Sequence, residues 1–234
     1  MSNIQCTEKT WNLGIRCTPT PLGWAKPSMI VVNSKSDLFH ENVSFDFIDK
    51  VFAVAALTPQ HTYQVLTKRP DRMAEYLESR QIGTPDAAMN FKGAVLSNVW
   101  LGTSVESQSQ VCERHAVLRR CAAAVRFYSV EPLLSLINLD LEGIGWVIVG
   151  GESGRRARPN RIEWVRSIVK QCKDANVPCF VKQLGLNVWE DIDGWGSQYA
   201  ENTFWFTKHR NGGDMTEWPE DLRVRQMPEM CRAV

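Results

Sequence analysis

The stretch that most constrains this chain is Trp146-Val-Ile-Val-Gly-Gly-Glu-Ser-Gly154, where a short apolar run meets two glycines, a carboxylate and a hydroxyl. Four apolar or β-branched residues are too few for a helix and suit a buried strand, and the polar residues after them mark a loop that can carry chemistry. The same grammar recurs at Met29-Ile-Val-Val-Asn33, Tyr63-Gln-Val-Leu-Thr-Lys68, Val99-Trp-Leu-Gly-Thr-Ser104, Arg126-Phe-Tyr-Ser-Val-Glu131 and Val177-Pro-Cys-Phe-Val-Lys-Gln183. Helical spacing fills the intervals. Ser44 is placed to cap a helix from Phe45 to about Leu57, and Pro70 to open one carrying Met73, Tyr76 and Leu77. A third runs from about Gln108 to Cys121, and a fourth is opened by Asn160 with Glu163 three residues on, a capping-box spacing. Strands separated by helices long enough for right-handed crossovers imply a parallel sheet covered on both faces. The expected fold is α/β, a partial (βα) barrel of about six parallel strands of the TIM-like kind. An open doubly wound sheet has the same local pattern but concentrates its site at one switch point, whereas here polar residues follow nearly every strand.

The 234 residues suit one domain with a tail. Residues 1–27 are expected to form an irregular N-terminal segment with a short strand at 10–16, because the prolines of Cys17-Thr-Pro-Thr-Pro21 exclude a helix interior. Residues 28–185 make the barrel core. Residues 186–234, with the turn signal Asn211-Gly-Gly-Asp214, make an irregular C-terminal cap. Lys+Arg at 27 against Asp+Glu at 26 gives no global field toward nucleic acid or an anionic membrane. No run approaches a membrane span, and no signal-peptide core stands near the start, so a cytoplasmic location without membrane association is expected. Seven cysteines, at 6, 17, 112, 121, 172, 179 and 231, include no Cys-x-x-Cys pair, which points to reduced, mostly buried thiols.

Candidate chemistry lies at the strand ends. Asp37, Glu106, Glu131 and Glu152 each follow a strand, and in a parallel barrel such positions converge on one rim, where carboxylates bind metals, hold ribose hydroxyls or act as general bases. The alternative is that each caps a helix or pairs with Arg or Lys. Lys68 and Lys182 are placed either to neutralise those carboxylates, to hold a ligand anion, or to act as Schiff-base nucleophiles. His40 is a candidate proton shuttle. Asn33, Ser34, Thr67, Ser104, Ser129 and Gln183 add polar groups along the rim. Gly150, Gly151, Ser153 and Arg158, with Arg155 and Arg156 beside them, could cradle an anion through backbone N–H groups and guanidinium forks. His61 and His115 read as loop and helix-surface residues, and Trp100, Trp146 and Trp164 as core.

Taken together, Asn33-Ser-Lys-Ser-Asp-Leu-Phe-His40, Gln64-Val-Leu-Thr-Lys-Arg-Pro70, Val99-Trp-Leu-Gly-Thr-Ser-Val-Glu106, Phe127-Tyr-Ser-Val-Glu-Pro-Leu-Leu134, Val147-Ile-Val-Gly-Gly-Glu-Ser-Gly154 and Phe180-Val-Lys-Gln183 resemble an uncharacterised phage and prophage family with a three-cysteine motif. Thr10-Trp-Asn12, Trp24-Ala-Lys-Pro27 and Gly212-Gly-Asp-Met-Thr-Glu-Trp-Pro219 extend the resemblance. That family is similar to the radical S-adenosylmethionine (radical-SAM) enzymes, which hold a 4Fe-4S cluster on three cysteines in the loop after the first strand of a partial barrel. The resemblance implies an ancestral iron-sulfur, S-adenosylmethionine-dependent enzyme acting on nucleic acid or nucleotides, with a phage- or prophage-encoded protein as a further partner. This chain keeps Cys17 at the position of the first cluster cysteine and passes directly to Thr18-Pro-Thr-Pro21, without the family's Cys-x-x-Cys-Tyr element. One thiolate cannot hold such a cluster. The expected function is therefore an impaired descendant of that enzyme. Two further readings stand beside it: a non-catalytic nucleotide- or anion-binding barrel, and a cluster-independent enzyme using the strand-end Glu and Lys residues.

Overall fold

The computed structural model describes residues 21–33, 36–81, 95–191, 202–205 and 211–229. Cys17, Ser34 and the strand expected at 10–16 lie outside the described residues. The strands are β1 (Met29–Val32), β2 (Thr62–Thr67), β3 (Val99–Ser104), β4 (Val125–Val130), β5 (Trp146–Gly150), β6 (Asn160–Arg161), β7 (Cys179–Gln183), β8 (Val188–Asp191) and β9 (Asn202–Trp205). The helices are α1 (Phe45–Leu57), α2 (Pro70–Gln81), α3 (Gln108–Arg120) and α4 (Ile162–Asp174). The fold is α/β, with a curled half-barrel sheet of six parallel strands in the order β1-β2-β3-β4-β5-β7. A second, three-stranded sheet has the order β6-β8-β9. Among the described residues no helix is long and apolar enough to cross a membrane.

The chain divides into two compact units. The first holds the described residues up to Thr103 together with Ala116–Arg126. Its strands β1 and β2 pair with Met29 opposite Thr62, and β2 and β3 with Tyr63 opposite Val99. Every residue of β3 is buried, as expected of a parallel strand covered on both faces. The Ser44 hydroxyl accepts the Phe47 N–H and caps α1, and Phe47, Ile48, Val51 and Ala55 bury one face of that helix. His61 is not a loop-surface residue: it is fully buried, accepting the Ser28 N–H at Nδ1 and donating from Nε2 to the Pro21 carbonyl, 3.0 Å away.

The second unit comprises Ser104–His115 and Phe127–Glu229. Here β5 lies between β4 and β7, with Trp146, Val147 and Val149 buried. Ile162, Val165, Ile168 and Cys172 form the buried face of α4, and that helix lies against β5 and β7. The tail covers the outer edge of β7. Val181 donates to the Val224 carbonyl and Gln226 to the Cys179 carbonyl, each at 2.8 Å, while Trp218 is buried and donates to the Gly212 carbonyl. An exposed parallel edge would offer unpaired backbone groups to any other strand, and this segment removes that hazard.

Two further local expectations are corrected in this unit. Asn160 does not cap α4, whose N-cap is Arg161 with no side-chain bond. Instead Asn160 sits in β6, 1% exposed, and donates from Nδ2 to the Leu184 carbonyl at 2.8 Å, because an otherwise orphaned buried carbonyl costs more than an uncapped helix end. His115 is buried on the Val111–His115–Leu118 face of α3, with Nδ1 2.6 Å from the Tyr128 hydroxyl and Nε2 3.2 Å from an Asp140 oxygen. Trp100 and Trp146 are buried core residues, while Trp164 is only half-buried.

Candidate functional site

At the strand ends of the first unit, Asp37 collects donors. Its Oδ1 accepts the Phe39 N–H at 2.9 Å and the Thr67 hydroxyl at 2.7 Å, and its Oδ2 accepts the Lys68 N–H at 3.1 Å and the Arg69 guanidinium at 2.9 Å. A carboxylate has about four lone-pair positions, and four donors fill them. Thr67 also accepts the Arg69 N–H, and its carbonyl accepts the Thr103 hydroxyl. Asn33 stands at φ 57 with its carbonyl taken by Ser36 N–H, and His40 Nδ1 accepts the Asn42 N–H. Asp37, Thr67, Lys68 and Arg69 thus form a knot tying the loop after β1 to the loop after β2, while the bonds at Asn33 and His40 brace the first of these loops.

The second unit is arranged differently. Glu131, just past β4, receives Lys182 Nζ from β7 on its Oε2 at 3.1 Å, with the Ser129 hydroxyl at 3.4 Å. The Glu131 side chain is 16% exposed and the Lys182 side chain 53%, so the pair is seated in the protein and still open to solvent. Gly150 makes this seat. A Cβ there would stand 2.7 Å from Glu131 Oε1 and 3.1 Å from the Gln183 carbonyl, so any side chain would drive the carboxylate off the end of β5. Gly151 is tighter still, with a Cβ meeting the Leu184 carbonyl oxygen at 2.0 Å, and backbone against backbone cannot rotate away. Gln183 closes the floor: its carbonyl accepts the Gly151 N–H, its amide donates to the Gly151 carbonyl, and its Oε1 faces Asn211 Nδ2 at 3.4 Å.

Beyond the glycines, Glu152 is clamped by Arg158. The Arg158 N–H and Nε both reach Oε2 at 2.8 Å and Nη2 reaches Oε1 at 3.2 Å. The side-chain hydrogen bond from Arg158, followed by its backbone N–H, holds the Glu152 carboxyl below the ordinary carboxylate range. Glu106 is near enough for its charge to act on the same guanidinium, and its own N–H donates to Gln110 Oε1. Ser104 is buried, and its carbonyl accepts Arg114 Nη1. Ser153, Arg155 and Arg156 are exposed.

Cys112, Cys121, Cys172 and Cys179 lie among the described residues, and Cys6, Cys17 and Cys231 lie outside them. Among the described residues no three His, Cys, Asp or Glu side chains stand close enough to hold a metal. Burial pushes the Cys121 thiol up to about 11, and a hydrogen bond from Cys179 with burial pushes Cys172 upward as well. Thiols held protonated are poor ligands, because the thiolate is the species that binds metal. Cys112 is exposed on α3.

Thus Ser129, Glu131, Gly150 and Lys182 meet at one place, with Gly151 and Gln183 beneath. Glu152 and Arg158 meet at a second place within electrostatic reach of Glu106. Sequence reasoning passed over Asn187, which donates from Nδ2 to the Ala157 carbonyl and accepts from Trp189 Nε1, and read Asn211 as a turn residue alone. Their signal was available: each is an Asn beside a glycine or a strand start in the segment after β7.

A family model for proteins of unknown function, DUF5131, matches residues 3–217. No curated protein and no solved structure matches the chain. Since the family model spans most of the sequence and the α/β half-barrel just described, the chain belongs to the DUF5131 family of proteins of unknown function.

Proposed function

We propose that this chain is a ligand-binding barrel protein that takes a nucleoside or nucleotide at the strand ends of its second unit, and that it does so without an iron-sulfur cluster. The observation that carries this reading is the seat of Glu131. Its carboxylate lies over Gly150, is flanked by Lys182 and Ser129, and retains solvent access. A carboxylate at the C-terminal end of a parallel strand is well suited to accept ribose hydroxyls, and the adjacent lysine ammonium offers a donor beside it. The resemblance to the phage and prophage three-cysteine family, and through it to radical S-adenosylmethionine enzymes, supports an adenosyl group as the first ligand to try. In that ancestry the scaffold served an enzyme acting on nucleotides or nucleic acid. Without the Cys-x-x-Cys element the present chain is a cytoplasmic binding protein, one that works with a phage- or prophage-encoded partner.

The test is isothermal titration of the full chain with adenosine and with S-adenosylmethionine. Binding that weakens at least about tenfold in Glu131→Gln, with the fold intact, is expected, since a charged hydrogen bond of about 1.5 kcal/mol corresponds to that factor. Absence of binding by both probes, or binding indifferent to Glu131, sinks the reading. The 3.1 Å contact between Glu131 and Lys182 favours a second reading, a cluster-independent enzyme with this pair as acid and base. It requires turnover of a bound nucleotide that is abolished in both Glu131→Gln and Lys182→Met.

A further inference from the structure

The segment Glu152–Arg158 carries one glutamate and three arginines. Arg158 is committed to Glu152 through three contacts, so its charge and that of Glu152 cancel. Arg155 and Arg156 are both exposed, and neither is matched to a carboxylate among the described residues. Two positive charges therefore remain uncompensated on a short loop, in a chain whose overall charge is close to neutral.

Arg155 also lines a hollow of about 320 Å³, together with Gly154, Ala157, Leu186 and Asn187. The walls of this hollow are fixed. Ala157 N–H donates to the Gly154 carbonyl, Asn187 Nδ2 to the Ala157 carbonyl, and Leu186 N–H to the Glu152 carbonyl. Asn187 is itself held by Trp189 Nε1 on its Oδ1 at 2.7 Å and by Asn160 N–H on its carbonyl at 2.8 Å. Gly154 adopts φ +105, and no acceptor within the described residues takes the N–H groups of residues 153–156. Consecutive unbonded N–H groups around a left-handed glycine, with guanidinium groups at the rim, are the means by which backbone loops hold phosphate-type anions.

We infer that the hollow beside Arg155 is a phosphate-binding subsite, taking a phosphoryl group through the Arg155 and Arg156 guanidinium groups and the N–H groups of residues 153–156. This rests on the reading of the Glu131 rim as a nucleoside site and names the group that the ligand carries. Gly150 and Gly154 are four residues apart, a span of at most about 14 Å, which a nucleoside diphosphate can bridge. A free phosphate or pyrophosphate offers the same chemistry without the nucleoside.

Isothermal titration of the full chain at low ionic strength separates these possibilities with three probes: inorganic pyrophosphate, adenosine and ADP. Pyrophosphate is expected to bind the wild-type chain, to weaken at least about tenfold in the double variant R155Q/R156Q, and to be unaffected by E131Q. Circular dichroism confirms that the double variant is folded, as substitutions at two exposed side chains should leave it. ADP binding tighter than either part assigns the phosphate to a nucleotide, and ADP binding no tighter than pyrophosphate assigns it to a free anion; both outcomes uphold the subsite. The inference is overturned if pyrophosphate fails to bind, or binds the double variant as tightly as wild type. Adenosine binding that is lost in E131Q and kept in R155Q/R156Q would preserve the nucleoside reading even then.

Discussion

Asp37 and Glu131 occupy comparable places, each in the loop after a strand of the same parallel sheet, yet their surroundings differ in kind. Asp37 is filled by four donors, three of which come from the next strand end. Glu131 has one lysine and one distant hydroxyl, and its other oxygen rests over a glycine. A saturated carboxylate fixes backbone, while an unsaturated one on a fixed backbone is left with lone pairs for a ligand. The first arrangement is a structural clamp and the second a binding seat.

The largest expected effect comes from the backbone beneath that seat. Gly151→Ala places a Cβ 2.0 Å from a carbonyl oxygen, and about 3 kcal/mol or more of stability should be lost in urea unfolding. A neutral Gly151→Ala would mean that the end of β5 is pliable and the seat is not preorganised. Next, Asp37→Ala should cost about 2–3 kcal/mol, because it strips the Thr67 hydroxyl and two backbone N–H groups of a charged acceptor. A loss below about 0.5 kcal/mol would erase the distinction between clamp and seat. Gly150→Ala is intermediate, since the group it displaces is the movable end of Glu131. It should lower stability by about 1 kcal/mol and abolish adenosyl binding.

The smallest effect concerns Glu152. Arg158 holds its carboxyl below the ordinary value of 4.5, so this pair contributes stability that is complete above that pH. The contribution fades as pH falls through the lower, folded-state value. In Arg158→Gln the Glu152 resonance should titrate closer to 4.5 by NMR, and the two proteins should converge in stability in acid. An unchanged titration would show that Arg158 is not the cause.

The parts of the fold legible in the sequence were those governed by one rule at a time. Strand β3 has the expected ends, Val99 and Ser104, and all six of its residues are buried, as the apolar run of a parallel strand covered on both faces requires. Helix α1 begins where Ser44 caps it. Errors arose where two demands compete for one residue. Asn160 has capping chemistry and capping spacing, but a buried carbonyl on Leu184 claims its amide. His115 has surface chemistry, yet Val111, His115 and Leu118 share a helical stripe, a spacing that marks the buried face. At the rim, the positions of Asp37, Glu131 and Glu152 after strands were visible, and their partners were not. Lys182 is 51 residues from Glu131 and Thr67 is 30 from Asp37, separations at which only the folded sheet sets the pairing. Gly150 shows the limit most clearly: the sequence displays a glycine, and only the folded chain reveals the carboxylate that would collide with a side chain there.

The most direct test measures stability and adenosyl binding together in Asp37→Ala and Glu131→Gln, by thermal unfolding and isothermal titration. Glu131→Gln should leave Tm within a few degrees of wild type, since a partly exposed ion pair contributes about 1 kcal/mol at most. It should also remove the affinity for adenosine or S-adenosylmethionine. Asp37→Ala should lower Tm and leave the affinity of the folded fraction intact. Glu131→Gln binding as tightly as wild type, or Asp37→Ala losing affinity at unchanged Tm, would contradict the assignment of clamp and seat.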